Sequence, residues 1–267
     1  MNARFATNLA AAGAALLLGG CATLPSGRGW GADATIRPGW ERVREAAVTA
    51  ARDPWVWAPV AGAAAFQFGS FDRRVSDWAR ENTPIFGSTD NAVQWSDDLR
   101  GASGVLFVGT LLATPSGDEP GEWMANKARG LAVEMGAKAA TAATTGVLKQ
   151  VTGRERPNEA NDESFPSGHT SSAAVNGRLA LINLDSIDLS RGARIAANVG
   201  IDATVFGTAW ARVEAGAHYP SDVLFGMALG NFFARFATDA FLGADSRDSI
   251  AVTPTDGGAR IDWTVRF

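Results

Sequence analysis

Hydrophobic and polar residues alternate with a helical period over most of this chain. Apolar side chains recur three or four positions apart, as at Phe225, Leu229 and Phe232, and a stripe of this spacing lines one face of an α-helix. Prolines separate several of these segments, because proline disrupts a helix interior. The pattern predicts helices at residues 41–52, 55–68, 71–81, 89–114, 121–149, 169–184, 190–210 and 220–242.

The pattern changes near the C-terminus. Short strand-like stretches at 250–253 and 260–267 flank the turn sequence Asp256-Gly257-Gly258, which predicts a β-hairpin. The segment 131–148 is rich in Ala, Gly and Thr and suits the central helix of a bundle. No internal repeat or long linker divides the chain. We therefore expect one all-α domain, a compact helical bundle at 41–247, with a small C-terminal β-hairpin at 248–267.

The first twenty residues have the layout of a secretory signal peptide, with one charge followed by an apolar stretch. The run Leu18-Gly19-Gly20-Cys21 resembles the lipobox of bacterial lipoproteins, in which the peptide is cut before a Cys that carries the lipid. We expect a signal peptide at 1–20, then a lipidated Cys21 and a flexible tether at 21–40 that hold the protein at a membrane. The alternatives are a free thiol beside an ordinary signal peptide and an uncleaved N-terminal anchor.

Composition and charge bear on where the protein is located and on which classes of protein can be excluded. The lipobox resemblance implies the periplasmic face of the bacterial cell envelope, and Ala22, rather than Asp, after the Cys resembles the sorting pattern for the outer rather than the inner membrane. The balance of 24 Lys and Arg against 28 Asp and Glu argues against a nucleic-acid-binding protein, which needs many cations to displace phosphate counterions. Mean hydropathy is −0.02, too low for several membrane-spanning helices. The nine Trp residues favour packing in the core and between helices over a membrane-interface belt, and Trp55 and Trp57 are the best candidates for contact with lipid.

Several cationic residues are spaced so that they can converge on one anion. Lys149 lies near the end of a predicted helix, and the following proline favours an extended conformation at Arg156, so both can face one point. Ser167 and Gly168 open the next predicted helix and offer a hydroxyl and backbone N–H groups at its positive N-terminus. Arg212 adds a planar pair of donors. Together these residues predict a phosphate-binding site.

The chain has two histidines, His169 and His218, and both lie in this region. Asp222 follows His218 by one helical turn, so its carboxylate can accept the Nδ1 proton and leave Nε2 as a nucleophile. No cluster of His and Cys and no acidic pair has metal-ligand spacing. We therefore expect a catalytic His218 and no metal or other cofactor.

These residues form three strings that resemble the signature of the type 2 phosphatidic acid phosphatase superfamily, which includes class A acid phosphatases and vanadium haloperoxidases. The strings are Lys149 with Arg156-Pro157, Pro166-Ser167-Gly168-His169, and Arg212 with His218 and Asp222. The resemblance covers 149–222, and it departs at Ala211, where the family usually has Ser before the Arg. Residues 22–148 match no motif that we can name, so the role of 41–120 stays open.

The resemblance implies a metal-independent phosphatase that hydrolyses a phosphate monoester or diphosphate. His218 would attack phosphorus to form a phosphohistidine, while His169 would protonate the leaving alkoxide and then activate water. The phosphate ligands would be Lys149, Arg156, Ser167, Gly168 and Arg212. The expected partner is a phosphorylated lipid, such as phosphatidic acid, a polyprenyl diphosphate or lipid A, or a small phosphate ester. The alternatives are a vanadate-dependent haloperoxidase and a non-catalytic envelope lipoprotein that binds lipid.

Overall fold

The computed structural model describes residues 22–243, 248–255 and 258–265, and in this part of the chain eight α-helices form the fold. A short 3-10 turn, Phe68–Ser70, precedes the third helix, and a π-helical turn, Thr238–Leu242, extends the last. The all-α prediction is confirmed. The helices are α1 Trp40–Arg52, α2 Pro54–Phe66, α3 Phe71–Asn82, α4 Thr89–Ala113, α5 Pro120–Thr152, α6 Gly168–Asp185, α7 Arg191–Glu214 and α8 Pro220–Ala237.

Local sequence signals fix most helix ends. The hydroxyls of Ser88 and Ser190 accept hydrogen bonds from backbone N–H groups in the first turns of α4 and α7, which satisfies donors that a helix start leaves unpaired. A proline occupies the first position of α2, α5 and α8. Helix α5 runs three residues past its predicted end and stops at Gly153, which has a left-handed φ of 51°.

Helices α6 and α8 form the centre of the bundle and are packed against each other and against most of the other helices. Two glycines of α8 allow this close approach: a Cβ at Gly226 would lie 2.8 Å from the Ser167 carbonyl oxygen, and one at Gly230 would lie 2.6 Å from that of Ser171. The prediction that residues 131–148 form the central helix is wrong, because α6 and α8 occupy the centre. This segment of α5 lies on one side of the bundle, with open space around Gly136 and Gly146.

The segment 22–39 is packed against the bundle. Trp30 is buried beside Gly130 of α5, and its backbone N–H donates to the Pro115 carbonyl. The Ala22 carbonyl accepts a hydrogen bond from the backbone N–H of Gly117, in the loop before α5. The prediction of a flexible tether is therefore wrong for these residues, because the loop between α4 and α5 holds them. Cys21 and the predicted signal peptide lie outside the described residues.

At the C-terminus, strands β1 Asp248–Thr255 and β2 Gly258–Val265 pair in antiparallel register, with Thr255 opposite Gly258. The predicted hairpin is present, and its strands begin two residues earlier than the sequence pattern indicated. Within the described ranges, we find no helix that combines the length and the apolar character needed to cross a membrane.

Candidate active site

All the predicted site residues from 149 to 222 meet at one end of the bundle. Helices α5 and α7 end there, and α6 and α8 begin there. Lys149 lies in the last turn of α5, and its Cε would be 3.8 Å from a Cβ placed on Gly168, the first residue of α6. The predicted phosphate ligands are thus brought together from three helices and one loop.

Three cations at this end carry unused hydrogen-bonding capacity. The Nε atoms of Arg156 and Arg212 are buried and have no hydrogen-bond partner among the described residues. Burial and the charge of Arg156 together lower the pKa of Arg212 to about 10. Burial and the same Arg156 charge lower the pKa of Lys149, which donates to the Glu163 carbonyl. An anion between these cations would relieve their mutual repulsion.

The N-terminus of α6 faces the same region. The Ser167 hydroxyl accepts hydrogen bonds from the Thr170 backbone N–H at 3.4 Å and from the Thr170 hydroxyl at 3.0 Å, so it caps the helix. The Ser167 backbone N–H donates to the carbonyl of Asp222, which joins the starts of α6 and α8. Ser167 is completely buried. Its hydroxyl is therefore engaged in the cap, while the first turn of α6 supplies the positive end of the helix dipole.

His218 is buried, and the contacts of its ring define its protonation. Nδ1 lies 2.6 Å from the carbonyl oxygen of Ser164, which can only accept, so Nδ1 carries the proton and Nε2 is left with its lone pair. Burial, followed by the charges of Arg212 and Lys149, holds the pKa of His218 well below its usual value. The ring is therefore neutral at pH 7, as a nucleophile must be.

Asp222 does not make the direct bond to His218 that the sequence spacing predicted. Its Oδ2 is 4.0 Å from Nδ1, and it accepts instead from the Ser164 hydroxyl at 2.5 Å and from the Tyr219 backbone N–H at 2.8 Å. Oδ1 accepts from Arg154 at 2.6 Å. The physical reason is that Tyr219 N–H and Ser164 already occupy this carboxylate oxygen. Asp222 thus acts on His218 through Ser164.

Arg154 and Asp72 form a second layer that the sequence did not reveal. The Arg154 guanidinium donates to Asp72 at 2.7 Å and lies 4.2 Å from the centre of the Tyr219 ring. Asp72, in α3, also accepts from the backbone N–H of Ser221 at 2.9 Å. These contacts connect α3, the loop after α5 and the start of α8. Arg154 lies two residues before the motif Arg156, and no spacing rule marks it.

Two neighbouring residues of α4 complete the site. Asp97 Oδ1 is 2.8 Å from His169 Nε2, and the Ser96 hydroxyl accepts from Arg212 at 3.2 Å. Burial and the Arg212 charge lower the pKa of His169, whereas its hydrogen bond to Asp97 opposes this change. A hydroxyl therefore contacts Arg212 even though Ala211 replaces the family Ser. The sequence could not reveal either contact, since α4 lies far from the motifs along the chain.

Comparison with known proteins finds a family match for the part of the chain that carries the motifs. Residues 131–244 match the sequence model of the PAP2 superfamily. This segment belongs to the PAP2 superfamily. The predicted recognition is thereby confirmed, and the PAP2 segment contains every motif residue together with α6, α7 and α8. No curated protein matches the chain.

A solved structure shares the PAP2 fold. It is described as the first transmembrane PAP2 type phosphatidylglycerolphosphate phosphatase, from Bacillus subtilis. The two chains are 19% identical, the match covers 69% of this chain and 92% of that one, and the TM-score is 0.51. At this identity the likeness establishes the fold alone. Asp72, Ser96 and Asp97 lie outside the PAP2 match, so the helices before it add contacts of their own to the site.

The candidate site carries its positive charge on side chains. In the described residues, no group of three or more His, Cys, Asp or Glu side chains is placed to bind a metal ion. The charges of Lys149, Arg156 and Arg212 all act on His218, and that of Arg212 also acts on His169. Such an arrangement can bind a phosphoryl group and offset the charge on its oxygens.

Proposed function

We propose that this protein is a phosphatase that hydrolyses a phosphate monoester or diphosphate of a lipid through a phosphohistidine intermediate. One observation carries the proposal: His218 is a buried neutral histidine whose Nδ1 is engaged by the Ser164 carbonyl, and three cations surround it. A neutral imidazole beside concentrated positive charge suits attack on an anionic phosphoryl group. The other histidine, His169, supplies the group that donates a proton in the first step and accepts one in the second.

Phosphate binding would use the donors that the bundle leaves unpaired. The buried Nε atoms of Arg156 and Arg212 can each donate to a phosphate oxygen, and Lys149 adds a third positive charge. Backbone N–H groups in the first turn of α6 would contact a further oxygen. These groups are fixed before the substrate arrives, so little reorganisation is needed as charge develops in the transition state.

In the first step, the Nε2 lone pair of His218 attacks phosphorus and the bond to the leaving oxygen breaks. His169 donates its proton to that oxygen, which leaves as an alcohol or phosphate. The dianionic phosphoryl group offsets the charge of Arg212, which lowers the pKa of His169 in the free protein. Substrate binding therefore raises the pKa of His169, and the hydrogen bond to Asp97 supports the protonated form.

In the second step, the neutral His169 accepts a proton from water while the water oxygen attacks phosphorus. The phosphorus–nitrogen bond breaks, its electron pair returns to Nε2 of His218, and phosphate leaves. Throughout both steps Nδ1 of His218 keeps its proton and donates it in a hydrogen bond to the Ser164 carbonyl. Asp222 holds Ser164 and Arg154 in place and does not exchange a proton.

The test is a trapping experiment on the full chain, with labelled p-nitrophenyl phosphate and labelled phosphatidic acid in the presence of EDTA. An alkaline quench preserves phosphohistidine. We expect a transient phosphoenzyme in the wild type, none in His218→Ala, and accumulation in His169→Ala with the aryl ester, because the base of the second step is missing. A phosphoenzyme in His218→Ala would refute the nucleophile. Vanadate-dependent halide oxidation without phosphate release would favour a haloperoxidase, and lipid binding without turnover would favour the non-catalytic reading.

The lipid substrate and the location are parts of the same proposal. The transmembrane phosphatase from Bacillus subtilis that shares this fold acts on a lipid phosphate, which supports a lipid phosphate here too. We also propose that Cys21 carries the lipid that holds the protein at the periplasmic face of the envelope. Growth with a labelled fatty acid should label the wild type and not Cys21→Ala. Equal labelling of both chains would contradict the anchor, and membrane separation would show which membrane holds it.

A further inference from the structure

The site end of the bundle carries exposed apolar side chains beside its cations. The loop 83–88, between α3 and α4, contains no charged residue. Ile85 is 68% exposed and Trp95, in the second turn of α4, is 51% exposed. The rings of Phe86 and Trp95 lie 6.1 Å apart. We call Ile85, Phe86 and Trp95 the apolar rim.

The apolar rim is held against the end of α7 and the short segment that leads to His218. Glu214 is completely buried, and its two carboxylate oxygens accept from the backbone N–H groups of Ile85 and Phe86, each at 3.0 Å. Phe86 also packs with Ala215 and Ala217, and Ala217 directly precedes His218. The rim therefore has a defined position next to the nucleophile, since two hydrogen bonds and an apolar cluster hold its loop.

The leaving group of the proposed reaction departs toward α4. The group that departs must carry its oxygen to His169, the proton donor of the proposed reaction. His169 is hydrogen-bonded to Asp97, and Ser96 contacts Arg212. Trp95 precedes Ser96 along α4, and its ring lies near that of Phe86 rather than on the Asp97 face of the helix. A leaving alcohol released on the His169 side therefore extends from the phosphate toward the first turns of α4.

We propose that the apolar rim binds the apolar part of the leaving group, so that the site selects amphiphilic phosphate esters over small polar ones. This inference rests on the proposed phosphatase function. The cations hold the phosphate, and the rim covers the first carbons of the alkyl or isoprenyl chain attached to it. Burying a methylene fully against apolar side chains raises affinity by up to about fourfold, and the open rim should provide part of this at each carbon.

The experiment measures kcat/KM for linear alkyl phosphates of two, four, six and eight carbons, all kept below their micelle concentrations. We expect kcat/KM to rise with chain length in the wild type. Trp95→Ala and Ile85→Ala should flatten this slope, so that the loss is greatest for the longest chain. Trp57→Ala removes another exposed Trp, on α2, and should keep the wild-type slope. Thermal unfolding of each variant confirms that it is folded.

Several results would overturn the inference. Equal slopes in the wild type and both rim variants would show that the rim does not contact the chain. A loss by the same factor at every length would show that Trp95 only supports the fold. A dependence on Trp95 that appears with lipid vesicles but not with soluble esters would assign the rim to the bilayer surface. If the wild type released phosphate from none of the esters, the phosphatase proposal itself would fall, which is a different outcome.

Discussion

Replacing Glu134 by Gln should stabilise this protein, and the gain should grow as the pH rises. Glu134 lies in α5 and is completely buried. Neither carboxyl oxygen has a hydrogen-bond partner among the described residues, although the Asn183 side chain is close enough to favour the carboxylate. Burial outweighs the opposing effects of Asn183 and of the charges of Lys127 and Lys138. It raises the pKa of Glu134 from 4.5 to about 8.

The sign and size of the effect follow from proton linkage. Below pH 4.5 the carboxyl is protonated in both the folded and the unfolded chain, so it contributes no pH dependence. Between pH 4.5 and about 8 the unfolded chain loses the proton and the folded chain keeps it, so stability falls by about 1.4 kcal/mol per pH unit. Glu134→Gln abolishes this loss. The difference in unfolding free energy should reach about 3 kcal/mol at pH 7.

The assay is urea unfolding of the full chain at several pH values between 4.5 and 8. Glu45→Gln is the matched control, because Glu45 is exposed on α1 and makes the same change in charge. The two unfolding free energies of Glu134→Gln and wild type should converge near pH 4.5 and separate steadily above it. Parallel pH curves for these two chains, or an equal gain in the control, would refute the assignment of a buried neutral acid.

Four further predictions concern the site and the N-terminal segment. Asp97→Asn should lower kcat about 10- to 100-fold for alkyl esters and much less for aryl esters, because it removes the partner of the proton donor His169. Asp222→Asn should slow phosphoenzyme formation but keep phosphate affinity, since it releases Ser164 and Arg154 rather than a phosphate ligand. The acid limb of the pH profile of kcat/KM should fall below pH 6.5, because the pKa of His218 is held low. Trp30→Ala should destabilise the fold by about 3 to 5 kcal/mol in urea unfolding.

Each of these has an outcome that contradicts it. Asp98→Asn, one residue further along the exposed part of α4, is the control for Asp97, and equal losses for alkyl and aryl esters would remove Asp97 from proton transfer. Loss of phosphate affinity in Asp222→Asn would make Asp222 part of the phosphate site. An acid limb above pH 6.5 would mean a different ionisation controls activity. An unchanged midpoint in Trp30→Ala would show that 22–39 adds nothing to stability.

The helices and the family could be predicted from sequence because their signals are local. Prolines and glycines mark the breaks, and the stripe in α8 follows the helical period. The motif residues are close together along the chain, and the bundle brings them to one end as expected. The predicted end of α7 fell four residues short at 210, although Gly216, with a left-handed φ of 63°, follows the final turn that carries Arg212 and Glu214 and marks the true end.

The parts that could not be predicted depend on contacts between distant segments. Asp97 and His169 are 72 positions apart, and nothing in the sequence of α4 distinguishes Asp97 from Asp98. The bond from Asp222 to His218 was inferred from helical spacing, but Ser164, which precedes α6, intervenes. The segment 22–39 has the composition of a linker, yet Trp30 finds a site on Gly130. Tertiary packing decides each of these cases.

The docking of Ala22 on the loop before α5 determines how the molecule can be held. Ala22 is hydrogen-bonded to Gly117, whereas Lys149 lies near the opposite end of α5, about 40 Å away along a helix that rises 1.5 Å per residue. Any support attached just before Ala22, whether an acyl chain, a fused domain or a solid surface, is therefore bound to the end of the bundle opposite the candidate active site. When α5 stands perpendicular to the support, the active-site end points away from it. The active site approaches the support only when the molecule tilts and α5 lies along that surface.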